Sequence, residues 1–248
     1  MEKDEYEIMF NMEDNYWWYV GLRKLVLSFI IKFSRKYKNE DLRILDAGCG
    51  TGKVLEDCKI YQAYGLEISE EAIKFCKRRS LNNVIRASIC DIPFANQSFN
   101  IVISLDVLYH SDIKNDIKVL EELCRVVDKR GMLLLNLPAY DFLQSEHDRA
   151  IHTRHRYTRK ELKKKVEGAG FKIEKITYRN VILFPLILII RLGERVLSKK
   201  RKEAKSDLRP LPDLINKFLT GILFLENRLI SVLNYPFGLS LFCIAKKE

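Results

Sequence analysis

The stretch "LDAGCGTGK", Leu45–Lys53, places three glycines within five residues. It follows the apolar run "LRIL" and precedes "KVLEDCK", whose apolar spacing is typical of a helix. A strand-to-helix turn that carries so little side chain indicates that a ligand approaches the backbone closely. The flanking residues must therefore indicate which ligand this is.

The glycine turn departs from the common phosphate-binding patterns. Compared with GxxxxGK[ST], it has the wrong spacing and lacks the Ser or Thr after its lysine. Compared with GxGxxG, it runs Gly48-Cys49-Gly50-Thr51-Gly52, with Asp46 in front. The carboxylate of Asp46 would repel a pyrophosphate, and it would suit a ligand that carries an amino group and a sulfonium cation.

Strands and helices alternate after residue 40. The apolar runs "LRILDA", "AYGLEI", "NVIRAS", "FNIVISLD" and "GMLLLNLP" predict five strands of a parallel sheet covered on both faces. Helical patterns lie between them, one of them with Ser69 as its predicted N-cap. "FKIEKITYR" and "LSLFCIAKK" predict two further strands. This alternation predicts a doubly wound α/β sheet.

Three residues at predicted strand ends suit a nucleoside. Glu67 ends the second strand about twenty residues after the glycine turn, where a carboxylate accepts hydrogen bonds from ribose hydroxyls. Asp91, in "CDIPF", is placed to bind an adenine amino group, and Leu105 is placed to pack on the adenine ring.

The motifs "LDAGCGTG", "GLEIS", "CDIPF", "FNIVISLDVLYH" and "LCRVVDKRGMLLLNLP" together resemble the ordered motifs of class I S-adenosylmethionine-dependent methyltransferases. The resemblance covers about residues 40–178 and the last strand. It implies a Rossmann-like, seven-stranded, mostly parallel sheet of order 3-2-1-4-5-7-6 with strand 7 antiparallel, N-terminal helices, and a helical insertion before the last strand. It also implies S-adenosylmethionine as cofactor and S-adenosylhomocysteine as product. The cofactor-binding residues implied in this way are Asp46, Gly48, Cys49, Gly50, Glu67, Ile68, Asp91, Ile92 and Leu105.

The chain divides into three predicted parts. Residues 1–40 form a helical cap, 41–178 and 239–248 form the methyltransferase domain, and 179–238 form an apolar and basic helical insertion. In class I enzymes an N-terminal helix often closes over the cofactor, so Trp17, Trp18 and Arg23 are predicted to cover the pocket. The alternative is that the two tryptophans only dock the helix on the sheet.

Histidines supply the candidate general bases, which an oxygen nucleophile requires. His110 follows the fourth strand and ranks first, although it could instead cap the next helix. The run "HDRAIHTRHRYTR" provides His152 and His155 as further catalytic candidates. An anionic acceptor is the favoured ligand of this run, with a metal or a solvated basic face as alternatives. No metal is expected, since the arginines would repel a cation. The substrate-binding candidates, besides the residues of the cap, are Tyr109, His147, Arg154, Arg156 and Tyr157.

The insertion combines apolar and basic sequence. "VILFPLILII", residues 181–190, is too short for the roughly twenty residues that span a bilayer. A polybasic stretch follows, and then residues 211–234 predict an apolar helix. Its predicted stripe consists of Leu214, Phe218, Ile222, Leu225 and Leu229. These features indicate either contact of 181–233 with a membrane surface or a cap or homodimer interface.

Composition limits the remaining choices. The chain has 248 residues and a formal net charge of +10, which indicates anionic partners. Nucleic acid is not expected, because the basic residues cluster in one loop without interleaved aromatic residues. Six cysteines without a CxxC pair and an acidic N-terminus without an apolar core predict a cytoplasmic protein, peripheral at the inner face of the membrane if the insertion binds lipid.

The predicted function is methyl transfer from S-adenosylmethionine to a small-molecule or lipid- or glycan-linked acceptor, most readily at oxygen. The alternatives are an RNA or protein methyltransferase and a non-catalytic module that binds S-adenosylmethionine.

Overall fold

The fold is given by a computed structural model that describes residues 3–35, 37, 41–197 and 210–247, with the backbone alone for 146, 192 and 194–197. The strands are Arg43–Ala47 (β1), Gln62–Glu67 (β2), Val84–Arg86 (β3), Phe99–Leu105 (β4), Val127–Pro138 (β5), Phe171–Arg179 (β6) and Ser240–Lys247 (β7). The helices are Lys3–Met12 (α1), Trp17–Ser34 (α2), Lys53–Asp57 (α3), Glu70–Arg78 (α4), Asp116–Val126 (α5), Glu146–Ala150 (α6), Arg159–Gly168 (α7), Phe184–Leu197 (α8) and Asp213–Ile230 (α9).

The strands form one seven-stranded sheet of order β3-β2-β1-β4-β5-β7-β6. β7 runs antiparallel to both of its neighbours, and the other strand pairs are parallel. The predicted sheet is confirmed, including the single antiparallel strand. Because the parallel strands share one direction, their carboxyl ends meet at one edge of the sheet, where open α/β sheets bind ligands.

Helices cover the sheet on both faces, and one apolar cluster lies under each layer. The side chains of β1, β4 and β5 alternate between the two clusters, with Leu45 and Val102 in one and Ile44 and Ile101 in the other. This two-sided burial explains why these strands read as unbroken apolar runs.

Local boundaries differ from the predictions in two places. The helical first segment is interrupted at residues 13–16, where Arg23 donates from Nη1 to the carbonyl oxygen of Glu13 (2.6 Å). β5 begins four residues before the predicted "GMLLLNLP", because Val127 already pairs with Phe99 of β4. Ser69 caps α4 as predicted, since its hydroxyl accepts from the amide of Ala72.

The helix α9 packs along α2. A Cβ on Gly21 would lie 2.3 Å from Cδ1 of Leu223, so the small residue lets the two helices approach closely. Asn216 accepts from the Trp17 amide at 2.9 Å and thereby caps the first turn of α2, which has no cap of its own. Asn227 donates to the carbonyl oxygen of Gly21 at 2.8 Å. No helix of the described chain is long and apolar enough to cross a membrane.

Candidate functional site

A cavity of about 810 Å³ opens at the carboxyl edge of the parallel strands. Its floor is formed by the turns that follow β1, β2 and β4, and its cover by α1, the start of α2 and part of α8. The predicted site residues that line it are Trp17, Trp18, Arg23, Asp46, Gly48, Cys49, Gly50, Glu67, Ile68, Leu105, Tyr109, His110, His147 and Arg156.

The glycine turn bares its backbone toward this cavity. Gly48 and Gly50 have φ values of +89° and +55°, which residues with a side chain rarely adopt. A Cβ on Gly48 would lie 2.4 Å from Cγ2 of Val107, and one on Gly50 would lie 2.9 Å from Cε of Met9. Both positions therefore require glycine, because of their backbone conformation and because Val107 and Met9 pack closely against them.

Buried carboxylates surround the same turn. Glu67 accepts from the amides of Gly50 (2.9 Å) and Ser69 (2.8 Å), so its position is fixed. Asp46 is buried, and this burial, together with the charges of Glu67 and Glu13, raises its pKa to about 7. A ligand that brings positive charge and hydroxyl groups would offset this concentration of negative charge. The ammonium, sulfonium and ribose hydroxyl groups of S-adenosylmethionine fit this arrangement.

Only some of the residues that were predicted to lie around the adenine line the cavity. Leu105 and Ile68 line the cavity, whereas Asp91 and Ile92 do not. Ile92 is buried, and its amide donates to Oε2 of Glu122 at 3.1 Å. The structure brings the preceding residues 88–90 to the wall instead.

Asp106 is a cavity-lining carboxylate that the sequence reasoning missed. It directly follows β4, at φ +57°, and its side chain accepts from Nδ2 of Asn136 at 2.9 and 3.1 Å. Burial raises its pKa to about 6, although the Asn136 hydrogen bond and the charges of Arg179 and Arg156 oppose the shift. The available signal was an acidic residue immediately after a buried, largely apolar strand, in "SLDV".

A buried arginine orients the amide beside Asp106. Nη1 of Arg179 donates to Oδ1 of Asn136 at 3.2 Å, which leaves Nδ2 of Asn136 to face the carboxylate. Burial lowers the pKa of Arg179 to about 10, against the opposing charges of Glu226 and Asp106. The guanidinium is therefore still charged at neutral pH and holds the polar chain in one orientation.

His110 lies where the sequence placed it, on the cavity wall after β4. Its Nδ1 accepts from the amide of Asp112 at 3.3 Å, and its ring lies 5.6 Å from that of His152. Burial is the main cause of a lowered pKa for His110. The imidazole is consequently neutral at physiological pH, the form that can accept a proton.

In the folded structure, only part of the His and Arg run lines the cavity. His147 and Arg156 reach the cavity, and Nδ1 of His147 is buried without a hydrogen-bond partner in the described structure. Arg156 donates from Nε and Nη2 to the two oxygens of Asp148, each at 2.9 Å. Its charge is thus already neutralised, which weakens the expectation of an anionic ligand at this side chain.

Four predicted residues of the run lie away from the cavity, namely His152, His155, Arg154 and Tyr157. Nε2 of His155 lies 2.9 Å from both oxygens of Glu161. Arg154 and Tyr157 bind the buried carboxylate of Asp116, at 2.5 and 3.0 Å. His155, Arg154 and Tyr157 thus hold the loop to α5 and α7, whereas the ring of His152 lies beside that of His110. Contact of these four residues with a ligand stays a prediction.

The N-terminal helices cover the cavity as expected, but with more residues than predicted. Trp17 and Trp18 line the wall, and Nε1 of Trp17 is buried without a partner among the described residues. Tyr6 and Met9 of α1 also line it, and no sequence signal distinguished them. Arg23 reaches the wall while its Nε lies 2.8 Å from Oδ2 of Asp57, so it also anchors α2 to α3.

Comparisons with known proteins agree with this geometry. A family model described as a methyltransferase domain matches residues 45–135. An uncharacterised protein of Methanocaldococcus jannaschii is 30% identical over 179 residues, covering 71% of this chain and 74% of that protein. A tRNA (carboxymethyluridine(34)-5-O)-methyltransferase of Arabidopsis thaliana is 36% identical over 95 residues. That match covers 38% of this chain and only 23% of the plant protein.

Among solved structures, one from Thermotoga maritima described as an S-adenosylmethionine-dependent methyltransferase superposes with a TM-score of 0.60. The superposition covers 99% of this chain and 95% of the Thermotoga chain. Since the two are 17% identical, this similarity concerns the fold.

Proposed function

The chain belongs to the class I S-adenosylmethionine-dependent methyltransferases, and we propose that it methylates an oxygen atom of a small or lipid-linked acceptor. The observation that carries the choice of oxygen is Asp106, a partly buried carboxylate on the cavity wall that directly follows β4. An oxygen acceptor must lose a proton during the transfer, and a positioned base accelerates that step.

The glycine turn, Glu67 and Asp46 are the residues that would hold the cofactor. S-adenosylmethionine, when bound, supplies a methyl group on a positively charged sulfur and leaves as S-adenosylhomocysteine. Glu67 presents carboxylate oxygens to ribose hydroxyls, and Asp46 places negative charge beside the amino acid portion. Gly48 and Gly50 line the cavity, so their backbone would lie against the bound cofactor.

Asp106 would act on the acceptor. As the new bond between oxygen and the methyl carbon forms, the hydroxyl proton passes to the carboxylate of Asp106. A pKa of about 6 leaves this group ionised at neutral pH yet basic enough to take the proton. His110, neutral and on the same wall, is the second proton acceptor of the site.

The cover of the cavity suits an apolar or aromatic acceptor. Trp17, Trp18, Tyr19 and Tyr109 all line it, and these rings exclude water from the transfer.

The test is a transfer assay with methyl-labelled S-adenosylmethionine. Candidate acceptors are small phenols, small carboxylic acids and a total lipid extract, and mass spectrometry locates the methyl group. Transfer to oxygen that is lost in Asp106→Asn, while calorimetry shows unchanged cofactor binding, supports the proposal. Transfer to nitrogen or carbon, or full activity of Asp106→Asn, contradicts it.

A tRNA acceptor is the second candidate, because of the 36% identity to the plant tRNA methyltransferase. The name of that enzyme specifies an oxygen acceptor, which agrees with a general base at Asp106. Total tRNA in the same assay separates the candidates: label in tRNA and none in lipids or small molecules would favour the second. A protein that binds the cofactor but labels nothing would favour a non-catalytic module.

A further inference from the structure

Two helices of the segment between β6 and β7 expose large apolar side chains. On α9, Leu214 is 82% exposed and Phe218 is 67% exposed. On α8, Ile189 is 68% exposed. The exposed apolar side chains of this surface, here called the insertion face, are Ile182, Leu186, Ile189, Ile190, Leu214, Ile215, Phe218, Phe224, Leu225, Leu229, Val232, Leu233 and Phe237. Isolated apolar side chains are ordinary on a protein surface, but a set of this size indicates a contact surface.

The opposite sides of both helices are already occupied. α9 buries Leu223, Glu226 and Ile230, and Leu223 lies against α2. α8 contributes Ile187 and Arg191 to the cavity wall. The exposed residues are therefore what remains after each helix has packed against the domain.

The two helices are joined at one end. The carboxylate of Glu226, near the end of α9, accepts from the backbone amides of Asn180 and Val181, just before α8 begins. The ring of Phe184 in α8 lies 5.4 Å from that of Phe237, which follows α9. The exposed residues of the two helices thus belong to one region of the protein surface.

The sequence between β6 and β7 is rich in cations, with ten Lys or Arg against five Asp or Glu. The exposed charged side chains of α9 beyond its first residue are Lys217 and Arg228. Residues 198–209, which connect α8 to α9 and lie outside the described part of the chain, contain six Lys or Arg and two acidic residues. Apolar helices beside cations match a surface that is apolar within and anionic at its boundary.

We propose that the insertion face rests on the surface of an anionic lipid bilayer. α8 has 14 residues and α9 has 18, about 21 and 27 Å of helix, so they would lie on the bilayer with their exposed sides in the interface. A second copy of the chain is the competing occupant. A symmetric dimer brings the same patch of both subunits together, so their cations would face each other.

Docking in this way would bring the cavity to the bilayer. α8 has exposed apolar residues on one side and the cavity-lining Ile187 and Arg191 on another. An acceptor with a lipid tail could then reach the cavity without leaving the interface for water. This consequence rests on the proposed function, whereas bilayer binding does not.

The experiment is co-sedimentation of the full chain with vesicles of phosphatidylcholine alone and with 30% phosphatidylglycerol. The variant Phe218→Glu/Leu225→Glu changes two exposed side chains of the insertion face. Ile60→Glu is the matched control, because Ile60 is 59% exposed and lies before β2, at the opposite edge of the sheet from the cavity. Thermal unfolding and cofactor titration of each variant confirm that it is folded.

We expect binding to anionic vesicles that falls at least about tenfold in Phe218→Glu/Leu225→Glu and in 0.5 M salt, and that is unchanged in Ile60→Glu. Equal binding of wild type and the double variant overturns the proposal, as does absence of binding. A dimer in analytical ultracentrifugation that the double variant dissociates, without vesicle binding, would assign the face to a second copy. Because no methyl transfer is measured, failure here leaves the proposed function unaffected.

Discussion

At the scale of single residues, the proposed general base Asp106 gives the most direct test of the proposed reaction. Replacing it with Asn keeps the shape and removes the base, so we expect kcat to fall by about 10²–10⁴-fold. The cofactor dissociation constant should change less than about threefold, because the proposal assigns Asp106 to the acceptor and not to the cofactor. Steady-state kinetics and calorimetry measure the two quantities, and an equal loss in both would contradict this role.

The pH dependence of kcat tests the same residue in the unmodified enzyme. The active form has Asp106 ionised, and burial raises its pKa to about 6. At saturating cofactor, kcat should therefore rise with pH through about 6 and level off above 7. A rising limb centred below pH 4.5 would show that this carboxylate is not the titrating base.

A separate prediction concerns Asp46 and the pH dependence of cofactor binding. Its pKa of about 7 in the free protein means that binding a cationic ligand favours the ionised form. Affinity for S-adenosylmethionine should therefore weaken about fivefold as the pH falls from 7 to 6. Calorimetric titration at both pH values measures the change. Asp46→Asn should bind more weakly at pH 7 and lose most of this pH dependence.

At the scale of elements, the contact between α2 and α9 positions the cavity wall. Asn216 caps the α2 residue Trp17, and Asn227 binds the carbonyl of Gly21 one turn further along. Loss of either hydrogen bond should cost about 1 kcal/mol. We expect Asn216→Ala also to weaken ligand binding and to alter tryptophan fluorescence. Asn227→Ala is the control that should lower the melting temperature similarly without either effect.

At the scale of the whole molecule, the buried carboxylate of Asp46 should lower the free energy of unfolding at neutral and higher pH. Asp46 has a folded-state pKa raised well above its ordinary value, so the folded protein binds more protons than the unfolded chain between about pH 4 and 7. Its contribution to the free energy of unfolding therefore declines as the pH rises through that range. Asp46→Asn should be more stable than wild type at pH 8, by on the order of 2–4 kcal/mol, and the difference should vanish near pH 4. Urea unfolding at both pH values measures it, and a variant less stable at pH 8 would contradict the argument.

The strands and helices of the sheet domain, and the glycine turn that would bind the cofactor, could be predicted from sequence patterns. The apolar runs and the helical spacing between them predict the alternation of strands and helices in a doubly wound sheet. The strand order itself was implied by the resemblance to class I methyltransferases. Gly48, Gly50, Asp46 and Glu67 lie on the cavity because each occupies a strand end, and strand ends meet at one edge of a parallel sheet.

Which polar side chains face the cavity, and which bind other residues of the protein instead, could be seen only in the folded structure. His155 and Arg154 read as site residues, yet Glu161 and Asp116 bind them, and these partners come from other helices. Asp106 drew no attention in the sequence, because its role depends on Asn136 of β5 and Arg179 of β6. A carboxylate or imidazole is available for chemistry only when the fold leaves it facing a cavity, and that depends on contacts between residues far apart in the chain.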